Sequence, residues 1–209
     1  MSEQTVYIID DDPSARRGLT RLVRAAGLNA HSFASAADFL DSGVQGGPGC
    51  IVLDVRMPEM TGPELQERLG NADYCMPIIF LSGQADVPTT ARAMKMGAVD
   101  FLTKPVDKDD LLEAIRLSLA KDAENRAQRA ENHAAHEHIE RLTPREHEVM
   151  TCVISGMLNK QIATRLGISE DTVKVHRGRV MHKLGISSVA DLVRLCERAG
   201  IGPAESNGQ

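Results

Sequence analysis

The stretch Cys50-Ile51-Val52-Leu53-Asp54-Val55-Arg56-Met57-Pro58 sets four apolar residues in succession directly before a carboxylate. An unbroken apolar run of this length fits a strand buried on both faces, since a half-buried strand would alternate. Val6–Ile9 and Ile78–Leu81 are similar runs, and the shorter or more polar segments Asn29–Phe33 and Asp100–Leu102 complete the candidate strands. Between them lie segments with helical periodicity near Ser14–Ala25, Ala36–Leu40, Gly62–Leu69 and Val87–Met96. Five strands alternating with helices predict an α/β fold with a doubly wound five-stranded parallel sheet. Such sheets place their chemistry just beyond the carboxyl ends of the strands.

The residues expected at that edge form a consistent set. The first strand ends in Ile9-Asp10-Asp11-Asp12, the third in Leu53-Asp54 and the fourth in Leu81-Ser82; the fifth leads into Lys104-Pro105. Clustered carboxylates repel one another, and a divalent cation relieves the repulsion; oxygen-only ligands favour Mg²⁺. A carboxylate can attack a phosphoryl group and hold it as an acyl phosphate. Lys104 adds a mobile positive charge, and the Ser82 hydroxyl can hydrogen-bond a phosphoryl oxygen. An Asp triplet or a Lys-Pro pair alone is ordinary loop chemistry; the argument rests on their conjunction and order.

As a set, these residues resemble the receiver domains of two-component response regulators, over residues 5–119, a flavodoxin-like fold. The resemblance implies that Asp54 is the phosphoacceptor. It also implies that Mg²⁺ is held by Asp11, Asp54 and the Arg56 backbone carbonyl, with Asp10 assisting and Asp12 reaching the metal only through water. Ser82 and Lys104 would complete the catalytic set, Ser82 and Phe101 would be the switch residues, and the Lys104–Pro105 bond would be cis. The chain would then accept a phosphoryl group on itself rather than turn over a substrate. Haloacid-dehalogenase-type phosphohydrolases also use an Asp nucleophile with Mg²⁺. Theirs follows the first strand in an Asp-x-Asp pattern with a Thr shortly after, and Asp10-Asp11-Asp12-Pro13 has no such Thr. A receiver fold that has lost phosphorylation is disfavoured by the complete residue set.

From Lys108 to Arg141 there is neither Gly nor Pro. Ile115, Leu119, Ala123, Ala127, Ala130 and Ala134 recur on one helical face, which predicts a long helix running into an alanine-seamed helical linker at 120–138; the high charge between Lys121 and Glu140 leaves a free, fraying linker as the alternative. His133, His136 and His138 read as solvated helix surface rather than a metal site.

Charge divides along the same lines. Residues 1–120 carry 11 Lys/Arg against 17 Asp/Glu, whereas residues 141–209 carry 10 against 7. Any nucleic-acid contact is therefore expected near the C-terminus. There, Leu142-Thr143-Pro144-Arg145-Glu146 opens a helix with Thr as N-cap, Pro at the first position and Glu at the third. Asn159–Leu166 is short and amphipathic, and Gly167 can adopt the left-handed cap that ends it. Ser169 then caps a longer helix. Two helices joined by a tight Gly-containing turn predict a helix-turn-helix in a small all-α domain. On the longer helix Val173, Val180 and Leu184 fall on the core side. Lys174, Val175, Gly178, Arg179 and His182 fall opposite, a surface that fits a major groove or, equally from the helix alone, a solvated basic face.

Residues 139–200 resemble LuxR-type output domains of the FixJ/NarL kind, within a domain placed at 139–204. The carrying stretches are Leu142–Glu146, Asn159-Lys160-Gln161-Ile162-Ala163 and Thr172-Val173-Lys174-Val175-His176-Arg177. By position the resemblance puts Lys174, Val175 and Gly178 toward base edges. His176, Arg179 and Lys183 go to phosphates, with Lys160 and Thr172 as helpers. Gly178 departs from the family, where a side chain is common. The implied partners are promoter DNA, a sensor histidine kinase, RNA polymerase and, on phosphorylation, a second copy of the chain; dimerisation through the last helix, near Ser188–Arg198, is also common in the family.

Composition is that of an ordinary protein, 42% apolar and 25% charged, with no apolar stretch long enough to cross a bilayer. The N-terminus has no basic segment leading into an apolar run. Cys50, Cys75, Cys152 and Cys196 lack metal-finger spacing and read as reduced, buried thiols. The expected location is cytoplasmic.

Overall fold

The computed structural model describes residues 4–44, 47–71, 76–83 and 87–202; Cys75 and the tail from 203 onward, including the expected end of the last domain at 204, lie outside these. The chain divides into two compact units, 1–125 and 126–209, each described by itself.

The first unit alternates strands and helices: β1 (Thr5–Ile9), α1 (Pro13–Ala25), β2 (Asn29–Phe33), α2 (Ala36–Asp41), β3 (Gly49–Asp54), α3 (Gly62–Asn71), β4 (Ile78–Ser82), α4 (Val87–Lys95), β5 (Asp100–Thr103), and the start of α5 (Lys108–Glu140). All strand pairs are parallel, in the order β2-β1-β3-β4-β5. The expected doubly wound five-stranded sheet is therefore present. Its order reverses between β1 and β3, which makes their carboxyl ends the crevice of the fold.

The apolar runs lack alternation because both faces of the sheet are covered. Ile9, Ile51, Leu53 and Phe80 pack with Phe39 of α2 and Leu65 and Leu69 of α3. Ile8, Val52, Ile79 and Leu81 point the other way, onto Leu19 and Val23 of α1 and Leu111 and Ile115 of α5. Deleting one such buried Ile or Leu side chain to Ala costs about 2–5 kcal/mol.

Along α5, Leu111, Ala114, Ile115, Ser118, Leu119 and Asp122 are buried, and then Ala135 and Ile139 are buried again. Between them Ala123, Ala127, Ala130 and Ala134 are exposed. The helix runs unbroken from Lys108 to Glu140, and its alanine seam is exposed. Alanine there serves helix propensity rather than burial. His133, His136 and His138 are exposed, with His133 3.4 Å from Glu137 and His136 3.5 Å from Glu140.

The second unit holds α6 (Pro144–Ile154), α7 (Asn159–Leu166), α8 (Glu170–Leu184) and α9 (Val189–Arg198). Its core joins Ile139, Leu142, Val149, Met150, Ile162, Val173, Val180, Leu184 and Leu192. Cys50, Cys152 and Cys196 are free and buried, and burial pushes the Cys50 thiol up to about 12, Asp122 adding to the effect. Among the described residues no helix is long and apolar enough to cross a membrane.

Candidate functional site

Each strand of the crevice delivers one polar group at its end. β1 is followed by Asp10, 1% exposed, and β3 ends in Asp54, 7% exposed. The Lys104 ammonium, after β5, lies 2.7 Å from Asp10 Oδ2 and 2.7 Å from Asp54 Oδ2. The Asp12 N–H donates to Asp10 Oδ1 at 2.9 Å, and the Arg56 N–H donates to Asp54 Oδ1 at 3.2 Å. Burial raises the Asp10 carboxyl above its ordinary range, against the opposing hydrogen bond and charge of Lys104. Burial lowers Lys104 in turn, but its bonds to Asp10 and Asp54 outweigh this and its affinity for the proton is raised. The lysine stays cationic and offsets two carboxylates that would otherwise repel at close range.

Asp10, Asp11 and Asp54 each offer an oxygen, all within 4.8 Å of one another. Among the described residues this is the one group of three or more His, Cys, Asp or Glu donors so placed. An all-oxygen, partly exposed set fits a hard ion such as Mg²⁺ and does not fit zinc or copper, which favour nitrogen and sulfur. Asp12 points elsewhere: its side chain accepts from the Ser14 N–H and caps α1, with Pro13 at the first helical position.

Ser82 closes β4 and is 1% exposed; its carbonyl accepts the Lys104 N–H at 2.7 Å. Phe101 is half-buried on β5, its ring centroid 6.1 Å from that of Phe80. The Lys104–Pro105 bond is cis. Asp10, Asp11, Asp54, Ser82 and Lys104 thus lie together at the sheet edge, while the Asp12 side chain turns to α1.

Sequence reasoning missed several groups that set this geometry. The Arg16 guanidinium of α1 donates to the Asp10 carbonyl at 2.6 Å and the Asp11 carbonyl at 3.3 Å. At Gly62 a Cβ would meet the Asp54 carbonyl oxygen at 2.4 Å and the Phe80 ring at 2.9 Å. Buried Asp122 accepts the Gly49 N–H at 2.9 Å and so ties α5 to the start of β3.

In the second unit the expected capping box is formed. The Thr143 hydroxyl accepts the Glu146 N–H, and Glu146 Oε2 accepts the Thr143 N–H at 2.9 Å. Gly167, at φ 65°, ends α7 in the left-handed conformation, and the Ser169 hydroxyl accepts the Thr172 N–H to open α8. Arg177 Nη1 donates to Asn159 Oδ1 at 2.7 Å, and Arg145 Nη2 donates to the Leu166 carbonyl, so α7 is fastened to both α8 and α6.

On α8, Val173, Val180 and Leu184 are buried, while Lys174, Val175, Gly178, Arg179 and His182 are exposed. Thr172 and His176 lie half-buried at the rim. Lys160, on α7, is exposed. Lys174 reaches Asp171 at 2.9 Å, and that bond raises its proton affinity. Lys183 differs from its neighbours: its ammonium lies 2.6 Å from the buried Glu146 carboxylate.

Residues 6–116 match the response regulator receiver domain, and residues 140–196 match the luxR family of bacterial regulatory proteins. The response regulator protein TmoT of Ectopseudomonas mendocina is 47% identical over 199 residues, spanning 94% of this chain and 89% of the relative. The transcriptional regulatory protein FixJ of Azorhizobium caulinodans is 42% identical over 200 residues, spanning 96% and 95%. Among solved structures, the response regulator StyR shares 45% identity at a TM-score of 0.77, covering 94% of this chain and all of that one. Full-length FixJ from B. japonicum shares 38% at a TM-score of 0.57, covering 96% and 98%.

Proposed function

The chain belongs to the two-component response regulators, with a receiver domain and a LuxR-type DNA-binding domain, and from this we propose that a phosphoryl group carried on Asp54 governs its binding to promoter DNA. The observation that carries this reading is the convergence of Asp10, Asp11, Asp54 and Lys104 at the carboxyl ends of β1, β3 and β5.

A cognate histidine kinase, or a small phosphodonor, supplies the phosphoryl group. An Asp54 carboxylate oxygen attacks phosphorus, the bond to the donor nitrogen or oxygen breaks, and an acyl phosphate forms on Asp54. Asp10, Asp11, Asp54 and the Arg56 carbonyl would hold Mg²⁺, which supplies charge neutralisation at the phosphoryl oxygens when bound. Lys104 gives up its bond to Asp54 Oδ2 and meets a phosphoryl oxygen instead, while Ser82 turns its hydroxyl toward another. Phe101 then moves into the space that Ser82 vacates, which biases the surface around α4 and β5.

That surface pairs two copies of the chain, so that two α8 helices meet two half-sites in successive major grooves. Lys174, Val175 and Gly178 face the base edges; His176 and Arg179 contact phosphates, with Lys160 and Thr172 in support, while Lys183, which the resemblance put at a phosphate, is committed to Glu146 and holds α8 from within. The bound dimer works with RNA polymerase in the cytoplasm. The test is phosphodonor-driven dimerisation followed by light scattering. Wild type dimerises and Asp54→Asn, still folded by circular dichroism, does not; equal dimerisation by both refutes the phosphoswitch.

A further inference from the structure

We propose that Arg16 is a positioning residue that sets the spacing of Asp10 and Asp11 for a divalent cation, an inference that rests on the reading of the acidic cluster given above. Arg16, a half-buried residue, sits in the first turn of α1, and its guanidinium turns back over the loop that follows β1. One nitrogen, Nη1, donates to both the Asp10 and the Asp11 carbonyl oxygens, at 2.6 and 3.3 Å. A single cation thus bridges two consecutive peptide carbonyls. This fixes the peptide planes from which the two carboxylates project. The loop is held at its other end too, because Asp12 caps α1 through the Ser14 N–H. Within the loop the Asp12 N–H donates to Asp10 Oδ1. Arg16 supplies the one tie from a side chain outside the triplet among these contacts.

The arrangement divides labour between two cations. Lys104 bonds the carboxylates of Asp10 and Asp54 directly, so it occupies oxygens that an incoming ion must share. Arg16 bonds the backbone carbonyls of Asp10 and Asp11 instead of their carboxylate oxygens. Charge-assisted bonds to a carbonyl are among the stronger ones, and groups that orient ligands are worth about 10–100-fold in metal affinity. Since Arg16 holds the ligands' backbone and not their donor atoms, the lower end of that range applies. Its charge opposes the cation, but it is partly solvated and screened; the ordering of the loop outweighs it.

The test is Mg²⁺ titration of the full chain by calorimetry, comparing wild type, Arg16→Met and Arg16→Lys, each with its melting temperature measured in chelator. Arg16→Met keeps the aliphatic stem and is expected to weaken Mg²⁺ about tenfold. Arg16→Lys, with a point charge too short to bridge both carbonyls, is expected to fall between. Equal affinities in all three proteins, or tighter binding by Arg16→Met, overturn the role assigned to Arg16. A melting temperature lowered without any change in affinity does the same, because it marks a merely structural residue. If wild type itself binds no Mg²⁺ at millimolar concentration, the reading of the acidic cluster fails and the inference falls with it.

Discussion

The Lys183 ammonium on α8 lies 2.6 Å from Glu146 Oε2, a carboxylate only 3% exposed on α6. The same oxygen accepts the Thr143 N–H at 2.9 Å. A capping-box acid thus doubles as the anchor for the C-terminal half of α8, the helix proposed to meet DNA. The bond to Lys183, with that to Thr143, holds the Glu146 carboxyl at about 2, below its ordinary 4.5.

This depression gives the second unit an acid-sensitive element. The folded state holds the proton less tightly than the unfolded chain, so the stabilisation is fully present above pH about 4.5. It is lost as pH falls toward about 2. Thermal melting of the full chain followed from pH 6 to pH 2 should show the second unit losing stability over that window. Glu146→Gln should be less stable at pH 6 and show a flatter profile. A profile as steep as wild type would dissociate acid lability from this residue.

Lys183 is engaged internally, and its role in DNA binding should show this. Leaving the Glu146 carboxylate without its partner costs about 1–3 kcal/mol, so Lys183→Met should lower the melting temperature. The dependence of DNA affinity on salt should barely change, because an ammonium already paired with a buried anion releases no counterion from DNA. A direct phosphate contact would instead reduce the logarithmic salt slope by about 0.9. Binding isotherms at four salt concentrations separate the two.

Gly62 carries a different consequence. A Cβ there would stand 2.4 Å from the Asp54 carbonyl, a backbone atom that cannot move without β3. Gly62→Ala should therefore both destabilise the first unit and displace Asp54, the proposed phosphoacceptor. Phosphorylation by a small donor, read by intact mass, should slow more than the loss of folded protein explains. Unchanged rates per folded molecule would show that the loop absorbs the methyl group.

Gly178 is the opposite case, since a Cβ there meets nothing within 4 Å. Glycine inside a helix costs about 0.8–1 kcal/mol relative to alanine. Gly178→Ala should raise the melting temperature of the second unit. If Gly178 faces the base edges, the same change should alter affinity for a specific site more than for random DNA. Equal effects on both would move this position off the groove.

Most of the first unit was legible because burial on both faces leaves a plain signature. The runs Cys50–Leu53 and Ile78–Leu81 admit few readings other than buried strands, and the topology then carries Asp10, Asp54, Ser82 and Lys104 to one edge. On α8 the helical angle separated Val173, Val180 and Leu184 from the exposed face for the same reason. What stayed hidden depends on contacts between residues far apart in sequence. The tie from Asp122 to Gly49, the bond from Lys183 to Glu146 and the approach of Gly62 to the Asp54 carbonyl leave no periodic trace. Arg16 was silent because an arginine on the polar side of an amphipathic helix is ordinary. The alanines from Ala123 to Ala134 misled in the other direction: their spacing matches a packed face, yet a residue chosen for helix propensity is indifferent to what it faces.

The central claim, that phosphate on Asp54 controls DNA binding, is tested most directly by one paired measurement. The full chain is incubated with Mg²⁺ and a small phosphodonor, then divided between intact mass spectrometry and gel shift on a genomic fragment library. The account predicts one added phosphate and tighter selective binding in wild type, with both lost in Asp54→Asn. Selective DNA binding of equal strength with and without the phosphate would contradict it, leaving a DNA-binding domain that the first unit controls in some other way.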